Sequence, residues 1–163
     1  MNNNLPTRKN TRLKNYDYSS AGYYFITICT NNHEHLFGKI IEQRMCLSDY
    51  GKIVEAEILG ISKHYDSIQI DKYVVMPNHV HIILVVETLP VEVEAFAGRA
   101  SAPPTVANVV RGYKSGVTRK CGIPIWQRNY YERVIRDKNM YQKIWNYIEH
   151  NPTAWEKDCY YTN

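Results

Sequence analysis

Hydrophobic positions fall into short blocks whose spacing shifts between the strand period and the helix period. The block at 22–30, GYYFITICT, is dense in aromatic and β-branched residues and predicts a strand. Over 47–65 Ile53, Ala56, Ile58, Leu59 and Ile61 recur near the helical period, with Ser48 or Asp49 as the N-cap. The segment 67–76, SIQIDKYVVM, alternates before turning apolar and predicts a second strand. Pro77 and Asn78 bring turn chemistry, and HVHIILVVE at 79–87 returns as a third strand. At 104–120 a Pro-Thr start is followed by Val106, Val109, Val110, Tyr113 and Val117, an amphipathic helix with its cations on the other side. A fourth strand is expected over 125–137, and a last helix over 138–151, stopped by Pro152.

The order strand, helix, strand, strand, helix, strand, plus one added C-terminal helix, predicts an α+β, ferredoxin-like βαββαβ sandwich with a central antiparallel sheet. The chain reads as one domain over 1–163, with a basic N-terminal arm at 1–20 and a loop rich in small residues, Gly and Pro at 88–104, expected to be mobile.

Length and composition narrow the setting. A chain of 163 residues suffices for one core, and no apolar run reaches the roughly 18 residues of a membrane helix. The start is polar and basic, so the expected location is cytoplasmic, with no membrane partner. Cys29, Cys46, Cys121 and Cys159 show no paired spacing, which argues against a zinc ribbon or a disulfide framework. The net charge of +4 is modest, but its cations cluster: Arg8, Lys9, Arg12 and Lys14, then Arg111, Lys114, Arg119 and Lys120, then Arg128, Arg133 and Arg136. Tyr16, Tyr18, Tyr113, Tyr130 and Tyr131 lie among them, a mixture that suits a polyanion with unstacked bases but also an ordinary solvated face.

Two histidines stand in the third strand. His79 and His81 share one face there, with Val80 opposite, and their Cα atoms should lie roughly 6.5 Å apart. Imidazoles at that spacing can lean toward one ion, although an isolated pair is more often satisfied by hydrogen bonds, and a third ligand must come from another element. Ile83 occupies the third place of an HxHxH run, which weakens a histidine-triad hydrolase reading.

The stretch MPNHVHIIL at 76–84 closely resembles the histidine, hydrophobe, histidine signature of HUH endonucleases, within them the single-tyrosine transposases of the insertion-sequence-200-like group. WQRNYYERVIRD at 126–137, followed by YIEHNP at 147–152, is similar to the later signature of their REP-associated branch. The resemblance runs from about Tyr16 to Trp155. It implies a histidine pair on a central strand of a ferredoxin-like core and a nucleophilic tyrosine on a C-terminal helix. Tyr147 stands in the nucleophile's place; Tyr130, Tyr131 and Tyr141 are rivals without the matching amide. Asn151 lies four residues on, on the same helix face, and becomes the third metal ligand beside His79 and His81, with His150 as the fallback. Because Asn151 precedes Pro152, its backbone is expected to lean away from helical values.

The implied cofactor is Mg²⁺ or Mn²⁺, and the implied substrate is single-stranded DNA beside a hairpin, cleaved through a 5′-phosphotyrosine. Arg8, Lys9, Arg12, Lys14, Tyr16, Tyr18, Arg111, Lys114 and Arg119 are the expected DNA contacts. A hairpin-binding protein with vestigial cleavage and a metal-dependent nuclease that uses water remain alternatives. The oligomeric state stays open between a homodimer and a monomer.

Overall fold

A computed structural model of the chain describes residues 17, 19–88 and 104–162. The arm residues Arg8, Lys9, Arg12, Lys14, Tyr16 and Tyr18 lie outside the described residues, as does the predicted loop apart from its end positions 88 and 104.

Four strands make the central sheet: β1 (Gly22–Cys29), β4 (Ile68–Val75), β5 (His79–Val86) and β6 (Tyr131–Ile135). Their order is β4-β5-β1-β6 and every neighbouring pair is antiparallel, so β1 and β4 run parallel on either side of β5, as the predicted ferredoxin-like topology requires. Alternation along β1 and β5 then divides the sheet into two faces. Tyr24, Ile26, Ile28, Val80, Ile82 and Leu84 face the main core, which is closed by α1 (Asp49–His64) and α2 (Val106–Cys121). On the opposite face Phe25, Ile83 and Ile135 meet Ile144 and Ile148 of α3 (Lys138–His150). The histidines of β5 belong to this second face.

Local chemistry sets the helix ends. The Ser48 hydroxyl caps α1 through the Gly51 amide, Thr105 caps α2 through Asn108, and the Asp137 carboxylate caps α3 through Met140. Gly122 ends α2 in the left-handed conformation, φ 72°. At Gly51 a side chain is excluded by close approach: a Cβ there would lie 2.1 Å from the Phe37 carbonyl oxygen.

Three features depart from the expected layout. A hairpin, β2 (Gly38–Ile41) and β3 (Arg44–Leu47), precedes α1 where no strands were anticipated. Its turn places Glu42 and Gln43 at positive φ without the glycine or asparagine that normally announces such a turn. The strand expected over 125–137 shortens to Tyr131–Ile135, with only an isolated bridge between Thr30 and Trp126 ahead of it. The carbonyls of Gln127 and Arg128 accept from the Lys114 ammonium of α2 at 2.6 and 3.1 Å, while the Gln127 amide stays bonded to the Cys29 carbonyl at 3.0 Å. Finally, Asn151 keeps helical values, φ −58° and ψ −44°, because the chain runs on past Pro152 into a 3-10 turn at Pro152–Lys157.

Candidate metal and nucleophile centre

Strand β5 delivers the two imidazoles side by side. His79 and His81 are 0% and 1% exposed, and their Nε2 atoms lie 3.0 Å apart. Each ring is held from behind through Nδ1. The Asn78 amide donates through Nδ2 to the carbonyls of His33 and Tyr160, at 3.2 and 2.8 Å, so its Oδ1 is left to accept from His79 Nδ1 at 2.8 Å. That contact puts the His79 proton on Nδ1 and leaves a lone pair on Nε2. His81 Nδ1 lies 2.8 Å from the Thr27 hydroxyl, which can donate or accept and so serves either tautomer. Burial holds both rings in the neutral form that a metal ligand needs. The His79 pKa is lowered to about 4 by burial, against the pull of Asp158, and His81 lies well below the ordinary histidine value through burial and the neighbouring His79.

Helix α3 brings its polar edge to the same place. Tyr147 is 39% exposed, and its hydroxyl lies 3.1 Å from His81 Nε2 while donating to Asp158 Oδ2 at 2.8 Å. Burial first, and then the hydrogen bond to Asp158, raise the Tyr147 pKa above the ordinary phenol value. The phenol is therefore neutral in this arrangement. One turn on, Asn151 is buried and donates to the same Asp158 Oδ2 at 2.7 Å, while its own Oδ1 is buried without a protein partner. The fallback ligand His150 is exposed and turned back to the Asn146 carbonyl. The rival Tyr141 donates to Asp71 on the sheet edge.

The donor set suits a divalent cation. Two ligand atoms at right angles about 2.1 Å from one ion lie about 3.0 Å apart, and the two Nε2 atoms have that separation. His79, His81 and Asp158 offer ligand atoms within 4.8 Å of one another, and the orphaned Asn151 Oδ1 supplies a neutral acceptor beside them. Thr27 reaches His81 from the neighbouring position on β1 and Asn78 reaches His79 from the turn before β5, whereas Asp158 and Tyr160 carry no spacing signal in the sequence and reach the site only because the C-terminal segment returns over the histidine face. Tyr160 lies over His79, ring centroids 4.7 Å apart.

The predicted phosphate contacts on α2 lie on the other face of the sheet. Arg111 is tied to Asn108, and Lys114 is half-buried and engaged by two carbonyls. Arg119 is exposed and lines an open cleft with Lys114, Trp126 and Arg128. Gln127, also in that cleft, reaches the histidine side: its Nε2 lies 3.0 Å from His33 Nε2, and the His33 ring stacks toward Tyr160.

No protein-family model matches the chain. A Haemophilus influenzae protein of uncharacterized function is 42% identical over 169 aligned positions, spanning 96% of this chain and 94% of the other. Among solved structures the chain is similar to a REP-associated tyrosine transposase bound to a REP hairpin, with a TM-score of 0.63 and 22% identity over 88% of this chain and 74% of that one. It is also similar to a transposase candidate from Deinococcus radiodurans R1, with a TM-score of 0.50 and 15% identity over 85% of this chain and 95% of that one. Both structural likenesses are of fold.

Proposed function

Because the chain belongs to one family with the Haemophilus influenzae protein and has the fold of the REP-bound transposase, we propose that it is a transposase that cleaves and rejoins single-stranded DNA beside a hairpin. The observation that carries this reading is the meeting of the Tyr147 hydroxyl with the Nε2 edge of His81, 3.1 Å away, at the mouth of the paired imidazoles. His79, His81 and Asn151 hold the cation, Mg²⁺ or Mn²⁺, in this reading. Bound there, it would polarise the scissile phosphodiester and stabilise charge on its oxygens.

The chain's own groups do the rest. Asp158 accepts the phenol hydrogen bond and so orients the Tyr147 oxygen toward the histidine edge. That oxygen attacks phosphorus; the Oη–P bond forms as the P–O3′ bond breaks. The phenol gives up its proton, the departing 3′-oxygen gains one, and the products are a 5′-phosphotyrosine and a 3′-hydroxyl. The phosphodiester count is unchanged, so attack by another 3′-hydroxyl reverses the step and joins strands without a nucleotide cofactor. Arg119, Arg128 and Trp126, which line the same cleft with Lys114 as a braced neighbour, suit phosphate contact and base stacking there; Arg111 extends the same helix face. The arm residues Arg8, Lys9, Arg12, Lys14, Tyr16 and Tyr18 add charge and aromatic faces for the same strand.

The test is incubation with a hairpin-bearing single strand and Mn²⁺, followed by denaturing electrophoresis. A protein–DNA adduct that forms with Mn²⁺ and is lost in EDTA is the expected result. Cleavage at full rate in EDTA, or cleavage with no adduct, would reject the reading. A second expected result concerns Asn78, whose amide fixes the His79 proton: Asn78→Ala should weaken Mn²⁺ binding by about 10- to 100-fold in a calorimetric titration.

A further inference from the structure

Asp158 sits at the centre of the site, although it belongs to neither the histidine strand nor the catalytic helix. It follows the 3-10 turn at Pro152–Lys157, and its carboxylate is fixed from several sides. Oδ1 accepts from the Tyr160 amide at 2.8 Å, and Oδ2 accepts from Tyr147 and Asn151. The same Tyr160 passes its carbonyl to Asn78, the residue that holds His79, so the carboxylate and the imidazole are anchored to one short length of chain. Such bracing of ligand by ligand is the usual support of a metal centre rather than of a surface acid.

The charge balance points the same way. Among the described residues, the ion pairs join Lys52 to Asp49, Lys72 to Glu149 and Lys120 to Glu57; none reaches Asp158. Its titratable neighbours are two imidazoles that burial keeps neutral, the phenols of Tyr147 and Tyr160 and the thiols of Cys29 and Cys159, none of them a cation. Two imidazoles and a carboxamide would leave a divalent cation with its full charge, whereas one carboxylate halves it and adds the hard oxygen donor that Mn²⁺ and Mg²⁺ prefer.

We propose that Asp158 is itself a ligand of the cation, joining His79, His81 and Asn151, so that a carboxylate from the segment that follows the catalytic helix closes the centre. This rests on the metal-dependent reading above and deepens it. Cation binding and docking of residues 158–160 are then linked, each favouring the other.

The experiment is Mn²⁺ titration of the full chain without DNA, with free Mn²⁺ followed by electron paramagnetic resonance, for wild type, His79→Ala, Asp158→Asn and Asp158→Ala. Wild type should bind Mn²⁺ and His79→Ala should not. Asp158→Asn, which keeps the shape of the side chain, should weaken binding by on the order of 10-fold, and Asp158→Ala by more. Thermal melts give a second readout: at one Mn²⁺ concentration near the wild-type Kd, the wild-type midpoint should rise by more than that of Asp158→Asn. If wild type and both Asp158 variants bind alike while His79→Ala fails, the carboxylate is no ligand and only this proposal falls. If wild type takes up no Mn²⁺, the metal-dependent reading falls with it.

Discussion

Tyr147→Phe should yield a folded protein that binds hairpin DNA and leaves it intact, with strand cleavage reduced by on the order of 10⁴-fold or more and no covalent adduct. The substitution deletes one oxygen, the atom that lies 3.1 Å from His81 Nε2, and leaves the ring that packs edge-on against Phe25. The structural cost is modest, because the side chain is part-exposed and loses two hydrogen-bonding contacts, to Asp158 and to His81 Nε2, worth about 1 kcal/mol each. Activity and stability therefore separate. A rate assay on denaturing gels beside a thermal melt checks both, and cleavage that survives the change would transfer the attack from the phenol to water.

His81→Ala should fail differently. The ring is buried on a central strand, stacked on Phe25 at 5.2 Å and flanked by His79 and Tyr147, so its removal opens a cavity as well as deleting a ligand. Cleavage should fall by on the order of 10³-fold or more, and stability by about 2–4 kcal/mol, since Thr27 also loses its buried partner. His81→Gln separates the two effects: much of the volume returns and the melt should recover in part, while cleavage stays low. Hairpin affinity should change little in either variant, because Arg119 and Arg128 reach the surface from α2 and the segment after it, on the far side of the sheet. Binding measured over a salt series should keep its slope, whereas Arg119→Ala should flatten it.

Sheet topology and the histidine strand were legible because burial and period coincide there. In β5 nearly every residue is buried, so HVHIILVV reads as a central strand, and period-2 alternation alone puts His79 and His81 on one face. Other parts were hidden by side chains acting at a distance. Residues 125–130 look like strand, yet Lys114 of α2 takes two of their carbonyls. The β2–β3 hairpin consists of four-residue strands around a Glu-Gln turn whose positive φ values have no glycine to signal them. The proline bias that sets Asn151 against the helix at 138–151 does not act, because the continuing 3-10 turn keeps it helical and one turn from Tyr147. Asp158 is the least legible of all, since in KDCYY it looks like any surface acid, and only the fold-back after Trp155 carries it to the histidines.

In the proposed reaction the phenol of Tyr147 becomes the covalent carrier of DNA. Tandem mass spectrometry of the trapped, nuclease-trimmed adduct tests it most directly. A 5′-phosphonucleotide is expected on the peptide bearing Tyr147 and on no other. The same mass on Tyr131, Tyr141 or Tyr160, or cleaved DNA whose 5′-phosphate is free, would contradict it.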